Sequence, residues 1–347
     1  MSSKKDALLE KWLQEFKSES TRRVYRAAVT KFKQVVGIEN LEEYVNDSPD
    51  VAADMRKLLS SMEGKPSKTI KTYAGAVKVF LQDKKIKVPE ESWNKIRRRG
   101  YLPKRVKAQT QDKKPSKIQL RRILNYGDIK LKALILFLVS SGARIGETLQ
   151  LNREDFNLEA DPPRVHIRGE HTKGGVGERT VYFSYEARDA IKDWLAIKNS
   201  MGKRDGTTYK DEKVFSFTHT TAKYMWNMAC DKAGLGTKDK RTGRRIYHLH
   251  TLRKFFRTKI GLDLDITHAL MGHTEYLDDA YLRLEEEGEI AEAYLEAMPN
   301  VSVYQMEIPE VKNLEEENQL LKDRLAKLEA EFGTLKSLIA EAVNGKP

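Results

Sequence analysis

Apolar residues recur with helical spacing over most of this chain, and residues 163–183 are where that rhythm breaks. There PRVHIRGE and ERTVYFS alternate in the manner of strands on either side of HTKGGVG, a Gly-rich run suited to a hairpin turn. The pattern predicts a mainly α chain carrying one small antiparallel β-sheet. At 347 residues the chain exceeds what one compact core usually holds, which implies two domains and an appendage.

Residues 1–100 read as a helical bundle. Thr21, Tyr25 and Phe32 recur as Thr69, Tyr73 and Phe80 with the same spacings, so two helices of similar design are expected, with the aromatics as core positions. The interleaved Arg22, Arg23, Arg26, Lys68 and Lys71 are candidates for phosphate contact. A basic, Pro-containing linker is expected over 101–115, within KIRRRGYLPKRVKAQTQDKKPSK, and Arg97, Arg98, Arg99, Lys104 and Arg105 could run along DNA. Pro115-Ser116 is a good helix entry to a second domain over 116–300, with helical patterns at LKALILFLVSSG, YEARDAIKDWLAI, TTAKYMWNMACDKAG and HTLRKFFRTKIG.

Over 310–343 the period changes to heptads. Val311, Asn318, Leu325, Phe332 and Ile339 take the a positions, and Leu314, Leu321, Leu328, Leu335 and Ala342 the d positions. In a parallel homodimer the flanking pairs Glu317 with Lys322, Arg324 with Glu329 and Glu331 with Lys336 all attract. Asn318 at an a position favours a parallel, in-register dimer at some cost in stability. A coiled coil about 50 Å long, dimerising through Leu314, Asn318, Leu321, Leu325, Leu328, Phe332, Leu335 and Ile339, is expected.

The net charge of +12 is the sum of opposite parts: residues 1–283 carry +21 and residues 284–347 carry −9. A basic body of that size matches a phosphate backbone, whereas the acidic tail would be repelled by one. With 33% charged and 39% apolar residues the composition is neither collagen-like nor disordered. No run approaches a membrane-spanning length, and MSSKKDALLEKWLQEF has charges where a signal peptide needs apolar residues. A cytoplasmic, DNA-associated protein with no membrane partner is expected. The single cysteine, Cys230, fits a reducing compartment and excludes a multi-cysteine zinc site.

Three stretches place Arg, Lys, His and Tyr where a fold alone would not need them. SSGARIGETLQL puts Glu147 three residues after Arg144, able to orient its guanidinium. HLHTLRKFFRTK puts His250 and Arg253 on one helical face, and MGHTEYLDDAYLR supplies His273, Tyr276 and Tyr281. Two arginines with His donors can neutralise the charge that grows on a phosphodiester in its transition state, without a metal. A tyrosine, with a phenolic pKa of about 10, becomes a competent nucleophile only beside such cations. A lysine on a hairpin, Lys173, can protonate the leaving oxygen. No metal or other cofactor is expected.

The order Arg144, Lys173, His250-x-x-Arg253, His273, Tyr281 resembles the tyrosine recombinase (phage integrase) family. GARIGETLQL is similar to its first arginine box, TKGGVGERTV to its lysine hairpin, and HLHTLRKFF with LMGHTEYLDDAYLR to its second box. Residues 6–100 resemble its core-binding helical domain, and LDDAYLR with AYLEAMPN is similar to archaeal mobile-element integrases. The resemblance implies a mixed α/β catalytic domain in which Tyr281 attacks the scissile phosphate to give a 3'-phosphotyrosine and a free 5'-hydroxyl. Arg144 and Arg253 would clamp the non-bridging oxygens and His273 would add a donor. Lys173 would protonate the 5'-oxygen, His250 would handle the proton of the nucleophile, and Glu147 would support.

The family commonly has nine residues from the second-box histidine to the tyrosine, and this chain has eight, which keeps Tyr276 as a rival nucleophile. His248 lacks an arginine three residues on and reads as structural. The resemblance implies recombination on double-stranded DNA through a tetramer on two paired sites, with residues 284–300 exchanged between neighbours. A type IB topoisomerase and a non-catalytic DNA-bridging protein are the alternatives. A dimerising tail serves the pairing of two sites and has no obvious use in a monomeric relaxase.

Overall fold

Trp12 and Phe32 lie on the apolar stripes of two amphipathic helices, and both are fully buried in the first of the two units into which the chain divides, Met1–Gln109 and Thr110–Pro347. The computed structural model describes residues 6–47, 49–86, 89–103, 112–172, 175, 177–200, 212–240, 242–272, 287–304 and 322.

The first unit contains α1 (Ala7–Gln14), α2 (Glu19–Val36), α3 (Leu41–Asn46), α4 (Val51–Ser60), α5 (Ser67–Asp83) and α6 (Glu90–Arg98). Side-chain caps start four of them: Asp6, Ser18, Asn40 and Asp50 each accept a backbone N–H from the first turn. The repeated aromatics behave as a core would demand. Phe32 and Phe80 are fully buried, Tyr25 stacks on Trp12 with centroids 5.5 Å apart, and Trp12 donates its indole N–H to Asp83 at 2.8 Å. Full burial of Phe32 and Phe80 contributes about 1.5–3 kcal/mol each. The basic residues between them stay on the outside.

In the second unit Ser116 opens α7 (Lys117–Leu124) with a capping box: its hydroxyl accepts from Gln119 N at 3.2 Å, and the Gln119 amide oxygen accepts from Ser116 N at 2.9 Å. α8 (Ile129–Ser141) is apolar on every side and accordingly forms the centre of this unit. It is followed by the one-turn α9 (Ile145–Thr148) and by β1 (Phe156–Asn157), β2 (Arg164–Ile167) and β3 (Arg179–Tyr182). Then come α10 (Tyr185–Ser200), α11 (His219–Lys232), α12 (His250–Lys259), α13 (Leu264–Met271) and α14 (Glu287–Val301). α7, α10, α11, α12, α14 and β3 all pack on α8.

The sheet has the order β1-β2-β3, antiparallel throughout, with Val165 opposite Val181 and Ile167 opposite Arg179. The two strands foreseen on either side of HTKGGVG are joined by a third, β1. It is only two residues long, and Phe156 is its inward position, beside Phe137 and Phe183. So short a strand leaves no alternation for a sequence to show.

α14 covers most of residues 284–300, the segment expected from the resemblance to pass to a neighbour, and in the single chain it packs on its own domain. Tyr294 is fully buried and donates its hydroxyl to Ser140 O at 2.7 Å, while Ala297, Met298 and Val301 join the same core. The last turn of α14 and the chain beyond it are tied down by Lys117 on Pro299 O, Arg121 on Val303 O and the Glu186 carboxylate, which accepts the amides of Val303 and Tyr304. Of the expected coiled coil only Lys322, a helical and exposed residue, is described; Leu314, Asn318, Leu321, Leu325, Leu328, Phe332, Leu335 and Ile339 lie outside the described residues. Among the described residues no helix is long and apolar enough to cross a membrane.

Candidate active site

α8 ends abruptly at Gly142, whose φ is +64°, and a Cβ there would lie 2.3 Å from the Phe256 ring. Only glycine fits, and the stop turns the chain so that Arg144, two residues later, caps α9. Glu147 sits on the same turn, almost wholly buried. One of its oxygens accepts from Arg144 Nη1 at 2.6 Å and the other from Arg179 Nη2 at 2.8 Å. Burial works against the charge of Glu147, but Arg179 and Arg144 outweigh it and hold the carboxyl below its usual range.

Arg253 enters the same place from α12, one turn after His250. Its side chain is buried, and it donates to Gly142 O at 2.7 Å and Met271 O at 2.6 Å. Burial, and then the neighbouring Arg144 and Arg179, push its pKa down to about 9, so it remains a cation at neutral pH. Among the described residues no carboxylate forms an ion pair with it.

Three consecutive carbonyls at the end of α13 each receive a different arginine. Leu270 O accepts Arg179 Nε at 2.8 Å, Met271 O accepts Arg253, and Gly272 O accepts Arg144 Nη2 at 3.0 Å. The end of a helix is its negative pole, so three guanidinium groups are favoured there. Four separate stretches of chain are thereby fastened together immediately before His273: α9, the foot of the hairpin, α12 and the close of α13. Arg144 keeps about a third of its side chain open to solvent, so part of its donor fork faces outward.

His250, open to solvent on one side, stacks parallel to His248 with ring centroids 6.4 Å apart. Partial burial and then Arg253 hold its pKa below the ordinary histidine value. His248 in turn meets Asp112 at 3.3 Å, and the same carboxylate oxygen accepts Lys254 Nζ at 2.6 Å. Lys113 N donates to Ile246 O, and Lys114 Nζ donates to Thr258 at 2.7 Å, so residues 112–114 are strapped along α12.

The structure brings Arg144, Glu147, His250 and Arg253 into one neighbourhood. Lys173, His273, Tyr281 and the rival Tyr276 lie outside the described residues, with Thr172 and Gly272 the last described residues before Lys173 and His273. In the first unit Arg23 and Arg26 line an open groove with Lys31, Lys65, Thr69 and Tyr73. Arg22 is turned onto Phe16 O at 2.6 Å, and Arg26 makes a two-pronged pair with Glu10. Lys68, Lys71, Arg97, Arg98 and Arg99 are exposed, Arg97 also lying over the Trp93 ring at 6.0 Å; Lys104 and Arg105 are outside the described residues.

Arg179 is the member of the cluster that sequence reasoning did not single out. The signal was there: by strand alternation it shares the core-facing side of β3 with Val181, a place where an arginine needs a reason.

Residues 116–278 match the profile of the Phage integrase family. Two curated relatives are similar to the chain, both tyrosine recombinases XerC. The one from Actinobacillus pleuropneumoniae serotype 7 (strain AP76) is 25% identical over 150 residues, 42% of this chain and 44% of the relative. The one from Actinobacillus succinogenes (strain ATCC 55618 / DSM 22257 / CCUG 43843 / 130Z) is 26% identical over 152 residues, 42% of this chain and 46% of the relative. The chain thus matches under half the length of these relatives. Among solved structures, the Tn1549 transposon integrase in complex with transposon right end DNA is similar in fold, with a TM-score of 0.52 at 15% identity, covering 83% of this chain and 97% of that one. The XerH site-specific recombinase bound to difH substrate gives a TM-score of 0.51 at 18% identity, covering 84% and 81%. Over residues 116–278, just under half of its length, the chain therefore matches the phage integrase family, and it is similar to tyrosine recombinases.

Proposed function

We propose that this chain is a site-specific DNA recombinase that cuts and rejoins double-stranded DNA through a 3'-phosphotyrosine. The observation that carries the reading is the convergence of Arg144 and Arg253 on the end of α13, with an excess of positive charge immediately ahead of His273. A DNA phosphodiester is the anion that such a site suits, because its charge grows as a fifth oxygen approaches phosphorus. The DNA-bound structural relatives and the +21 charge of residues 1–283 support the same partner.

In this reading the Tyr281 oxygen bonds to phosphorus as the bond from phosphorus to the 5'-oxygen breaks. His250, kept neutral at pH 7 by its lowered pKa, takes up the phenolic proton, and Lys173 gives a proton to the departing 5'-oxygen. Arg144 and Arg253 turn their remaining N–H groups on the non-bridging oxygens, joined by His273. Attack by a 5'-hydroxyl from a second duplex reverses the step, so no external energy source is needed. Arg22, Arg23, Arg26, Lys68, Lys71, Arg97, Arg98, Arg99, Lys104 and Arg105 would follow the backbone, and the heptads of 310–343 would join protomers so that two sites meet in a tetramer.

The test is to incubate the full chain with a random duplex library, quench in detergent, recover protein-linked DNA and sequence it. A nicked duplex carrying the recovered site then gives a covalent complex with wild type and none with Tyr281→Phe. A wild-type protein that forms no covalent complex on any recovered DNA overturns the reading.

A further inference from the structure

Beneath the site lies a cation that phosphate does not reach. Arg179 has about a tenth of its side chain exposed, and its guanidinium is committed inward, to Leu270 O, to Gly177 O and to Glu147. Gly272 makes room for it: its φ is +66°, and a Cβ there would stand 2.6 Å from Arg179 Nη1. The arginine at the foot of the hairpin is therefore not a second Arg144.

We propose that Arg179 is a positioning residue for the cleavage reaction, which balances the charge of Glu147 so that Arg144 meets the phosphate with its own charge undiminished. The proposal rests on the reading of Arg144 as a phosphate clamp. The buried Glu147 carboxylate fixes the Arg144 fork at 2.6 Å, as a rigid clamp requires, but a carboxylate so close also neutralises the cation it holds. Arg179 on the opposite oxygen, at 2.8 Å, supplies the compensating charge from a place where it cannot compete for substrate. With it, three arginines and one carboxylate leave a net charge of two positive. Without it the net is one, facing a transition state that approaches two negative charges. The buried pair also explains why the site tolerates a carboxylate at all: an acidic group beside a phosphate is repulsive unless a second cation covers it.

The experiment uses the full chain and the nicked duplex described above, with single-turnover covalent-complex formation as the readout for Arg179→Met, Glu147→Gln and the double variant. The proposal expects Arg179→Met to cleave about tenfold or more slowly, with DNA affinity changed no more than about threefold. It expects the double variant to regain about tenfold over Arg179→Met, because removing the carboxylate removes the charge that needed balancing. A double variant as slow as Arg179→Met, or slower, overturns it, since a purely structural arginine is not replaced by losing its partner. If the methionine lowers the unfolding temperature below the assay temperature, Arg179→Lys decides instead. It keeps the charge and loses the fork, and cleavage within about threefold of wild type supports the proposal, while a loss of about a hundredfold overturns it. Wild type that forms no covalent complex removes the recombinase reading itself; wild type that cleaves beside an equally fast Arg179→Met removes only the role of Arg179.

Discussion

At Arg253 two guanidinium nitrogens are held by the carbonyls of Gly142 and Met271, and burial has already cost this cation part of its preference for the proton. A site arranged around such a group has to be rigid, because a misplaced guanidinium in a poorly hydrated pocket finds no substitute partner. Gly142→Ala tests that rigidity. The new methyl group meets Phe256, and the backbone sits at φ +64°, so unfolding in urea is expected to show a loss of about 2–4 kcal/mol. An unchanged midpoint would mean that α8 can close in another way. His250 makes the second prediction at this scale. Its lowered pKa keeps it neutral further into acid, so single-turnover cleavage is expected to hold at neutral pH and to fall only as the pH drops through a value below the ordinary histidine pKa of 6.5. That acid limb is expected to disappear in His250→Gln; a limb that persists there belongs to another group. The residues around Arg144 and His250 were legible because Glu147 and Arg253 follow at i+3, a spacing that puts side chains on one helical face. For Arg179 strand alternation carried the inward position but not the role, because its partners Glu147 and Leu270 are distant in sequence and only the folded chain brings them together.

Among the elements, α8 was the most legible, since a run that is apolar on every side has no place except the centre of a domain. The hairpin was legible from the change of period, and β1 was not, for it has no length over which to alternate. In the single chain α14 is anchored by Tyr294, which is fully buried with its hydroxyl on Ser140 O, and the same apolar face is what a neighbour would cover if the segment were exchanged. Sequence periodicity records that a helix has an apolar face, not which copy of the chain covers it. Tyr294→Ala is expected to cost about 3–5 kcal/mol and to bring amide exchange in α14 close to that of a free helix. Exchange as slow as in wild type would show that Tyr294 does not anchor it.

For the whole molecule the charge division is the dominant fact: +21 over residues 1–283 and −9 beyond. A phosphate backbone can attract the first part while repelling the second, so the proposed pairing of protomers falls to a segment whose charge disfavours DNA. Deleting residues 310–347 is expected to halve the mass found by light scattering in the absence of DNA, and a truncated chain of unchanged stoichiometry would remove the coiled-coil dimer. The central claim, that a tyrosine of this chain becomes joined to DNA, is tested most directly by digesting the trapped covalent complex with protease and nuclease and sequencing the modified peptide by mass spectrometry. The account predicts a nucleotide 3'-phosphate on Tyr281; the same mass on Tyr276, or no modified tyrosine in a complex that survives detergent, would contradict it.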